Sequence, residues 1–194
     1  MALENLHHDA RIDARQESIL DLASIPDESV DYGYCIGVLQ HTPDPAKALQ
    51  VIFKKIKPGG QLAIWAYEKS WKAYLYRTKY VTRLVLKRLP PSLVLRAVPG
   101  WVDFWLPIST FLRRIKLTGL SKLLPVADYS SDLPLNRVQI REWAILNTFD
   151  MWTPAYDRPL TRLEVQSALC APGGSAEIEW NNHVRGITAV IKRV

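Results

Sequence analysis

The chain has 194 residues, 48% of them hydrophobic, and a formal net charge of +6. That suits one domain with a substantial core, and no repeat or low-complexity tract interrupts it. No run approaches the roughly 18–20 apolar residues that span a bilayer, so no transmembrane segment is expected. The polar, partly acidic start MALENLHHDARID is unlike a signal peptide. Two unpatterned cysteines, Cys35 and Cys170, fit a reduced, cytoplasmic protein in which both act as small hydrophobes. No Cys/His cluster has zinc spacing, so no metal is expected.

Ala2 to Ala10 reads as the tail of a helix, Ile12 to Ser18 as a weak strand candidate, and Ser24 to Ser29 as a turn. Val30 to Val38 is apolar apart from Asp31, Gly33 and Gly37, as a buried parallel strand should be. Its exit at Gln40-His41-Thr42 leads to Asp44-Pro45, an N-cap followed by proline at the first helical position. Ala46, Leu49, Ile52, Phe53 and Ile56 then recur at helical spacing, with lysines on the other face. Pro58-Gly59-Gly60 is expected to stop the helix and start a second apolar strand, Gln61 to Tyr67. Such a unit is a right-handed crossover in a parallel sheet.

Trp71 to Leu89 is predicted as a basic amphipathic helix, with Lys72, Lys79, Arg83 and Lys87 off its apolar stripe. Ser92 to Val98 and Pro107 to Leu124 are expected as short helices, punctuated by Pro99-Gly100 and Pro125. Val138 to Asn147 is a further helix and Phe149 to Pro159 an aromatic loop. Thr161 and Glu164 form a capping box that opens a helix through Leu169, ending at Pro172-Gly173-Gly174. Ala176 to Asn181 and Gly186 to Arg193 close the chain as a hairpin.

The charge is unevenly spread. Between Lys69 and Lys122, twelve Lys and Arg stand against one acid, Asp103, a net of +11, and the rest of the chain is −5. An inserted element with its own partner is the implication.

Parallel strands place ligands beyond their carboxyl ends, here at Ile36 to His41 and at Ala66-Tyr67. Gly37 either admits a ligand's close approach or relieves packing. The stretch PDESVDYGYCIGVLQHTPDPAKALQVIFKKIKPGGQLAIW resembles the second half of the class I S-adenosylmethionine-dependent methyltransferases. It shares their D-x-S-F-D-like strand entry, V-L-H-H-like strand exit and D-P…L…KPGG-L run. The resemblance implies an α/β fold: a truncated Rossmann-like sheet of parallel strands plus a C-terminal antiparallel strand, with a helical insertion. It divides the chain into residues 1–68 of the cofactor-binding core, an insertion at 69–160 acting as a lid, and a closing helix and hairpin at 161–194.

Carried over by residue, the resemblance puts Ser18 and Ile19 at the adenine, with serine where aspartate is more usual. Ile36, Gly37, Val38 and Leu39 would line the sugar and methionine of S-adenosylmethionine, and His41 would sit near its reactive end. His41 is then either a general base, since an imidazole titrates near neutrality, or a positioning histidine. Trp65, Tyr67, Trp152 and Tyr156 could wall a substrate pocket or form a satellite core.

The chain departs from the family in lacking the glycine-rich loop of the first strand and the acid of the second. Val30 to Val38 is therefore expected to be a hydrophobic sheet edge. Ile12 to Ser18 would pair with it, or a partner chain would supply the missing strands, or the isolated chain would be poorly soluble. Functionally, the chain is read as a methyltransferase acting on a small-molecule acceptor, glycan, lipid-linked or secondary-metabolite, with cofactor binding impaired. A membrane-associated, quinone-type methyltransferase is a further option. The alternative is a degenerate, non-catalytic module that binds a partner chain or an anionic surface. The basic segment is a lid or a grip for anionic or lipid-linked substrates, and nucleic acid is not expected, since no recognition motif accompanies the charge.

Overall fold

Residues 11–69, 78–130, 134–170, 176–184 and 186–194 are described by the computed structural model, the side chains of 78–81 excepted. They fall into two units, Met1–Lys69 with Tyr156–Val194, and Ser70–Ala155. Each has its own hydrophobic core.

In the first unit, strand β1 (Val30–Ile36) leads through a 3-10 turn at Leu39–His41 into helix α1 (Pro45–Lys55), then strand β2 (Ile56–Ala66). The Asp44 carboxylate accepts the Lys47 amide at 3.0 Å and Pro45 opens the helix, so the local punctuation acts as its chemistry requires. β1 and β2 pair in parallel, with a jump in register from Val30↔Ile56 to Tyr32↔Gln61. The expected stop at Pro58-Gly59-Gly60 therefore lies inside β2, as a bow between its first pair and the rest. Gly60 is confined there, since a Cβ would stand 2.7 Å from the Asp31 carbonyl oxygen.

Strand β3 (Ala176–Trp180) and strand β4 (Ile187–Arg193) form the antiparallel hairpin, and β4 also pairs antiparallel with β2. The four-stranded sheet runs β1-β2-β4-β3, a mixed α/β sheet of the expected class. Cys35, Leu62, Ile64, Ala189 and Ile191 are buried on one face, sharing a core with Leu49 and Phe53 of α1 and with Val165 and Leu169 of helix α6 (Arg162–Leu169). The capping box opens α6: the Glu164 amide donates to Thr161 Oγ1 at 3.1 Å and the Thr161 amide to Glu164 Oε2 at 2.6 Å. Arg193 fastens the sheet's end by donating to the carbonyls of Lys54 and Ile56.

The opposite face is open at β1, where Tyr32 and Tyr34 are 78% and 83% exposed. Residues 12–18 form no strand and do not pair with β1. Their charges bond locally instead: Arg15 donates to Asp13 and to both oxygens of Ser24, and Glu17 accepts the Ser24 amide.

The second unit contains helices α2 (Thr78–Leu86), α3 (Pro91–Arg114), α4 (Thr118–Ser121) and α5 (Arg137–Trp152). The expected residues 71–77 of the first helix lie outside the described residues. Two expected short helices are instead one helix of 24 residues that runs through Pro99 and Pro107. Burial of Val94, Val98 and Val102 at a spacing of four holds it together despite the missing N–H groups. α5 also outruns its expected end at Asn147, because Ala144, Thr148 and Trp152 continue a buried stripe, and the aromatic loop starts only at Thr153. Arg83, expected to face water, is buried and donates to the carbonyls of Met151 and Pro154 at the end of α5.

Cys35 is buried, and burial pushes its thiol pKa up. Cys170 is exposed at the C-cap of α6 rather than packed as a small hydrophobe. Among the described residues no helix is long and apolar enough to cross a membrane.

Candidate functional site

The carboxyl ends of β1 and β2 are joined by hydrogen bonds that the chain's return supplies. Gly37 leaves β1 with φ +71°, a left-handed conformation that favours glycine, and its amide donates to the Trp65 carbonyl at 2.8 Å. The Gly37 carbonyl in turn accepts Gln40 Nε2 at 2.9 Å. Gln40 is completely buried, and its own backbone carbonyl accepts the Arg158 amide at 2.8 Å. Its side-chain Oε1 is buried without a hydrogen-bond partner. An acceptor left unsatisfied in that way costs about 1–3 kcal/mol, so it marks a place where a donor belongs.

Segment 156–160 laces both strand exits together. The Leu160 amide donates to the Tyr67 carbonyl at 2.9 Å, and Lys69 donates back to Leu160 at 2.8 Å. Arg158 reaches the Pro43 carbonyl at 2.6 Å and stacks 5.7 Å over the Tyr156 ring. His41 Nδ1 stands 3.2 Å from the Tyr156 carbonyl oxygen. A carbonyl only accepts, so Nδ1 carries the proton and the neutral ring's acceptor is Nε2. The ring also meets Tyr67 edge-on at 5.7 Å, and Tyr67 meets Trp65 the same way at 5.5 Å.

Of the residues singled out by sequence, Ile36, Gly37, Val38, Leu39, His41, Trp65, Tyr67 and Tyr156 are all in the unit that carries these strand ends. Ile36 and Val38 are exposed, whereas Leu39 is fully buried and serves the core. Ser18 and Ile19 are at a turn ahead of β1 rather than at a strand end: the Ser18 carbonyl accepts the amides of Asp21 and Leu22, and Ile19 packs against the core. Trp152 belongs to the helical unit, where it is 2% exposed and packs edge-on against Trp101 at 5.4 Å. Gln40 and Arg158 were not singled out. Gln40 occupies the position of the first histidine in the V-L-H-H pattern, a departure that could have drawn attention to it.

Residues 1–64 match the family described as methyltransferase domain. That match covers about a third of the chain and makes this part similar to a methyltransferase domain. Among curated relatives, ubiquinone biosynthesis O-methyltransferase of Pseudomonas fluorescens is 30% identical over 86 residues, which is 43% of this chain and 37% of that protein. The enzyme of the same name from Marinobacter nauticus is 30% identical over 90 residues, 44% of this chain and 38% of that one. The match thus spans less than two fifths of the length of these relatives. Among solved structures, a SAM-dependent methyltransferase of Methanosarcina mazei aligns with a TM-score of 0.42 at 13% identity, covering 98% of this chain and 73% of that one.

S-adenosylmethionine is the cofactor that the match to a methyltransferase domain implies. Its amino group and ribose hydroxyls are donors, the chemistry that the buried Gln40 Oε1 lacks. Gly37 leaves the strand exit clear of a side chain, with the Trp65 ring 3.4 Å from where a Cβ would stand. The exit at Ile36, Gly37 and Val38 therefore leaves room for such a ligand, with Leu39 turned into the core. Residues 1–29 contain no glycine, so a glycine-rich loop for the facing wall is not found there.

Proposed function

We propose that this chain forms one wall of the cofactor cleft in a methyltransferase that methylates a small-molecule hydroxyl. The observation that carries the proposal is the Gly37–His41 turn, with its left-handed glycine and its buried, donor-seeking Gln40 oxygen at the end of a parallel strand. When bound, the cofactor supplies a sulfonium methyl for direct displacement, so the chain's contribution is alignment in a dry pocket. Gly37 admits the cofactor, Gln40 Oε1 accepts from it, and Ile36 and Val38 cover its apolar parts. Trp65, Tyr67 and Tyr156 wall the acceptor. His41, held by the Tyr156 carbonyl, takes the acceptor's proton at Nε2. Ser18 and Ile19 are assigned to the adenine end.

The relatives named for ubiquinone biosynthesis direct the acceptor search to quinone precursors first, with glycan and other lipid-linked hydroxyls next. Two free thiols suit a reducing, cytoplasmic setting. The facing wall, and strands to pair with β1, come from a further segment or a partner chain, so the chain by itself binds the cofactor weakly.

Calorimetric titration with S-adenosylmethionine tests this. Weak or absent binding to the chain alone, restored when a glycine-loop-bearing half is added, is the expected result. Tight binding to the isolated chain sinks the need for a second half, and no binding in either form sinks the cleft itself. A non-catalytic module that docks a partner through β1 is the second reading, favoured by the exposed Tyr32 and Tyr34. A reconstituted pair that binds cofactor but never transfers a methyl group supports it.

A further inference from the structure

We propose that the helical unit holds a binding site of its own, for an anionic amphiphile: a carboxylate or phosphate head on an apolar body. The site is the cleft between α3 and the start of α5, a cavity of about 480 Å³. That volume lies within the range of small-molecule sites, roughly 300–1,000 Å³. Its walls divide by chemistry. Val102, Leu106, Phe111 and Ile140 supply apolar surface, while Thr110 and Ser130 add hydroxyls. Among the described lining residues, three guanidiniums, Arg114, Arg137 and Arg141, stand with one carboxylate, Asp103.

The charges do not cancel. Arg141 grips Asp103 through two bonds, Nε to Oδ1 at 2.6 Å and an Nη2 to Oδ2 at 2.8 Å, so that pair satisfies itself. Arg114 and Arg137 are exposed and have no ion pair among the described residues. Two exposed guanidiniums beside an apolar floor are the complement of an amphiphilic anion, and planar guanidiniums match carboxylate and phosphate oxygens in pairs. A cationic ligand would meet net repulsion, and a neutral apolar one would leave both guanidiniums unused.

The wall nearest Ser130 is built rather than loose. The buried Asp128 carboxylate accepts the Ser109 hydroxyl at 2.6 Å and the Ser130 amide at 2.9 Å, with Arg113 Nε at 3.4 Å. Ala127 donates to Thr148 Oγ1 at 3.0 Å, fastening the same loop to α5. Pro107, in the cavity lining, has no N–H for the Asp103 carbonyl, so the helix backbone is itself polar at this point. None of this depends on the methyltransferase proposal, because every residue named belongs to the helical unit.

Calorimetry on the full chain with decanoate and decyl phosphate tests the site, with decanol and inorganic phosphate as half-ligands. One-to-one binding of an amphiphile, at least about tenfold tighter than either half-ligand, is expected. Arg114→Gln with Arg137→Gln should weaken it about tenfold or more, with circular dichroism unchanged. Thr110→Trp, which fills the cleft, should abolish it. Absence of saturable binding, or affinity untouched by both the arginine pair and the tryptophan, overturns the proposal. Vesicles with phosphatidylglycerol identify the source: co-sedimentation lost in the arginine pair supports a lipid headgroup, and free amphiphile binding without vesicle binding supports a soluble ligand.

Discussion

Gly37 donates its amide to the Trp65 carbonyl at 2.8 Å, and the Trp65 ring lies 3.4 Å from where a Cβ on residue 37 would stand. Both strand exits are therefore joined at a residue whose φ of +71° suits only glycine without strain. Gly37→Ala should cost about 1–2 kcal/mol, chiefly from the left-handed backbone, since the added methyl meets the ring at ordinary contact distance. Urea unfolding checks the stability loss. Weaker S-adenosylmethionine binding by the reconstituted enzyme checks the link to the cleft.

Gln40 offers a sharper comparison. Gln40→Ala leaves the Gly37 carbonyl without its donor and opens a cavity at a fully buried site, at a cost of about 2–3 kcal/mol. Gln40→Met keeps the volume and also removes the unsatisfied Oε1, so the loss should fall to about 1 kcal/mol. The two thermal midpoints should rank in that order. Both variants should lose the cofactor-induced shift in the reconstituted enzyme. A shift retained in Gln40→Met shows that Oε1 accepts nothing from the ligand.

The difference between these two residues shows what a sequence discloses. Gly37 is legible because a glycine between apolar residues at a strand exit has few explanations. Asp44-Pro45 and Thr161 with Glu164 are legible for the same reason: their chemistry closes within three or four residues. Gln40 reads only as part of the strand exit, because the chain that meets it, Arg158 and its neighbours, returns more than a hundred residues later. The His41–Tyr156 contact likewise joins residues 115 apart. The continuity of α3 was hidden because local proline rules oppose a helix that only its buried valine stripe sustains. Trp152 shows the same limit: in an aromatic run a pocket and a satellite core read alike, and its spacing from Ala144 and Thr148 on one helix makes it core.

The capping box of α6 predicts a pH response. The Glu164 carboxyl is held below the usual carboxylate range, first by the Thr161 amide and then by the Thr161 hydroxyl. A depressed carboxylate stabilises above its unfolded pKa, and that contribution is lost as pH falls through the folded value. Thr161→Ala should cost about 1 kcal/mol at neutral pH and less in acid, where the protonated Glu164 no longer depends on the cap. The difference in urea midpoint between wild type and variant, followed from pH 7 to pH 3, should shrink.

Helix α3 offers a gain. Pro99 is only half-buried, lies outside the stripe of Val94, Val98 and Val102, and deprives the Leu95 carbonyl of its intrahelical donor. Pro99→Ala should stabilise the helical unit by about 1–2 kcal/mol, less than the full helix penalty because alanine also loosens the unfolded chain. Hydrogen exchange of the α3 amides reports on that unit alone and should slow.

The edge strand yields the last prediction. Tyr32, Tyr34 and Ile36 point to one exposed face of β1, and no strand among the described residues pairs with its outer edge. The one acid on the strand, Asp31, is neutralised by Lys57 at 2.8 Å, so β1 presents no net charge to another chain. Edges of this composition pair with further strands unless a charge interrupts them. Tyr34→Lys places that charge at the strand's centre, on a side chain that is 83% exposed, so folding stability should change by less than about 0.5 kcal/mol. Self-association of the isolated chain should fall in sedimentation velocity runs, and with it any capture of a strand-supplying partner. Equal association before and after the substitution would show that the edge is guarded by something other than its missing charge. In that event the proposed pairing of β1 with further strands would lose its support.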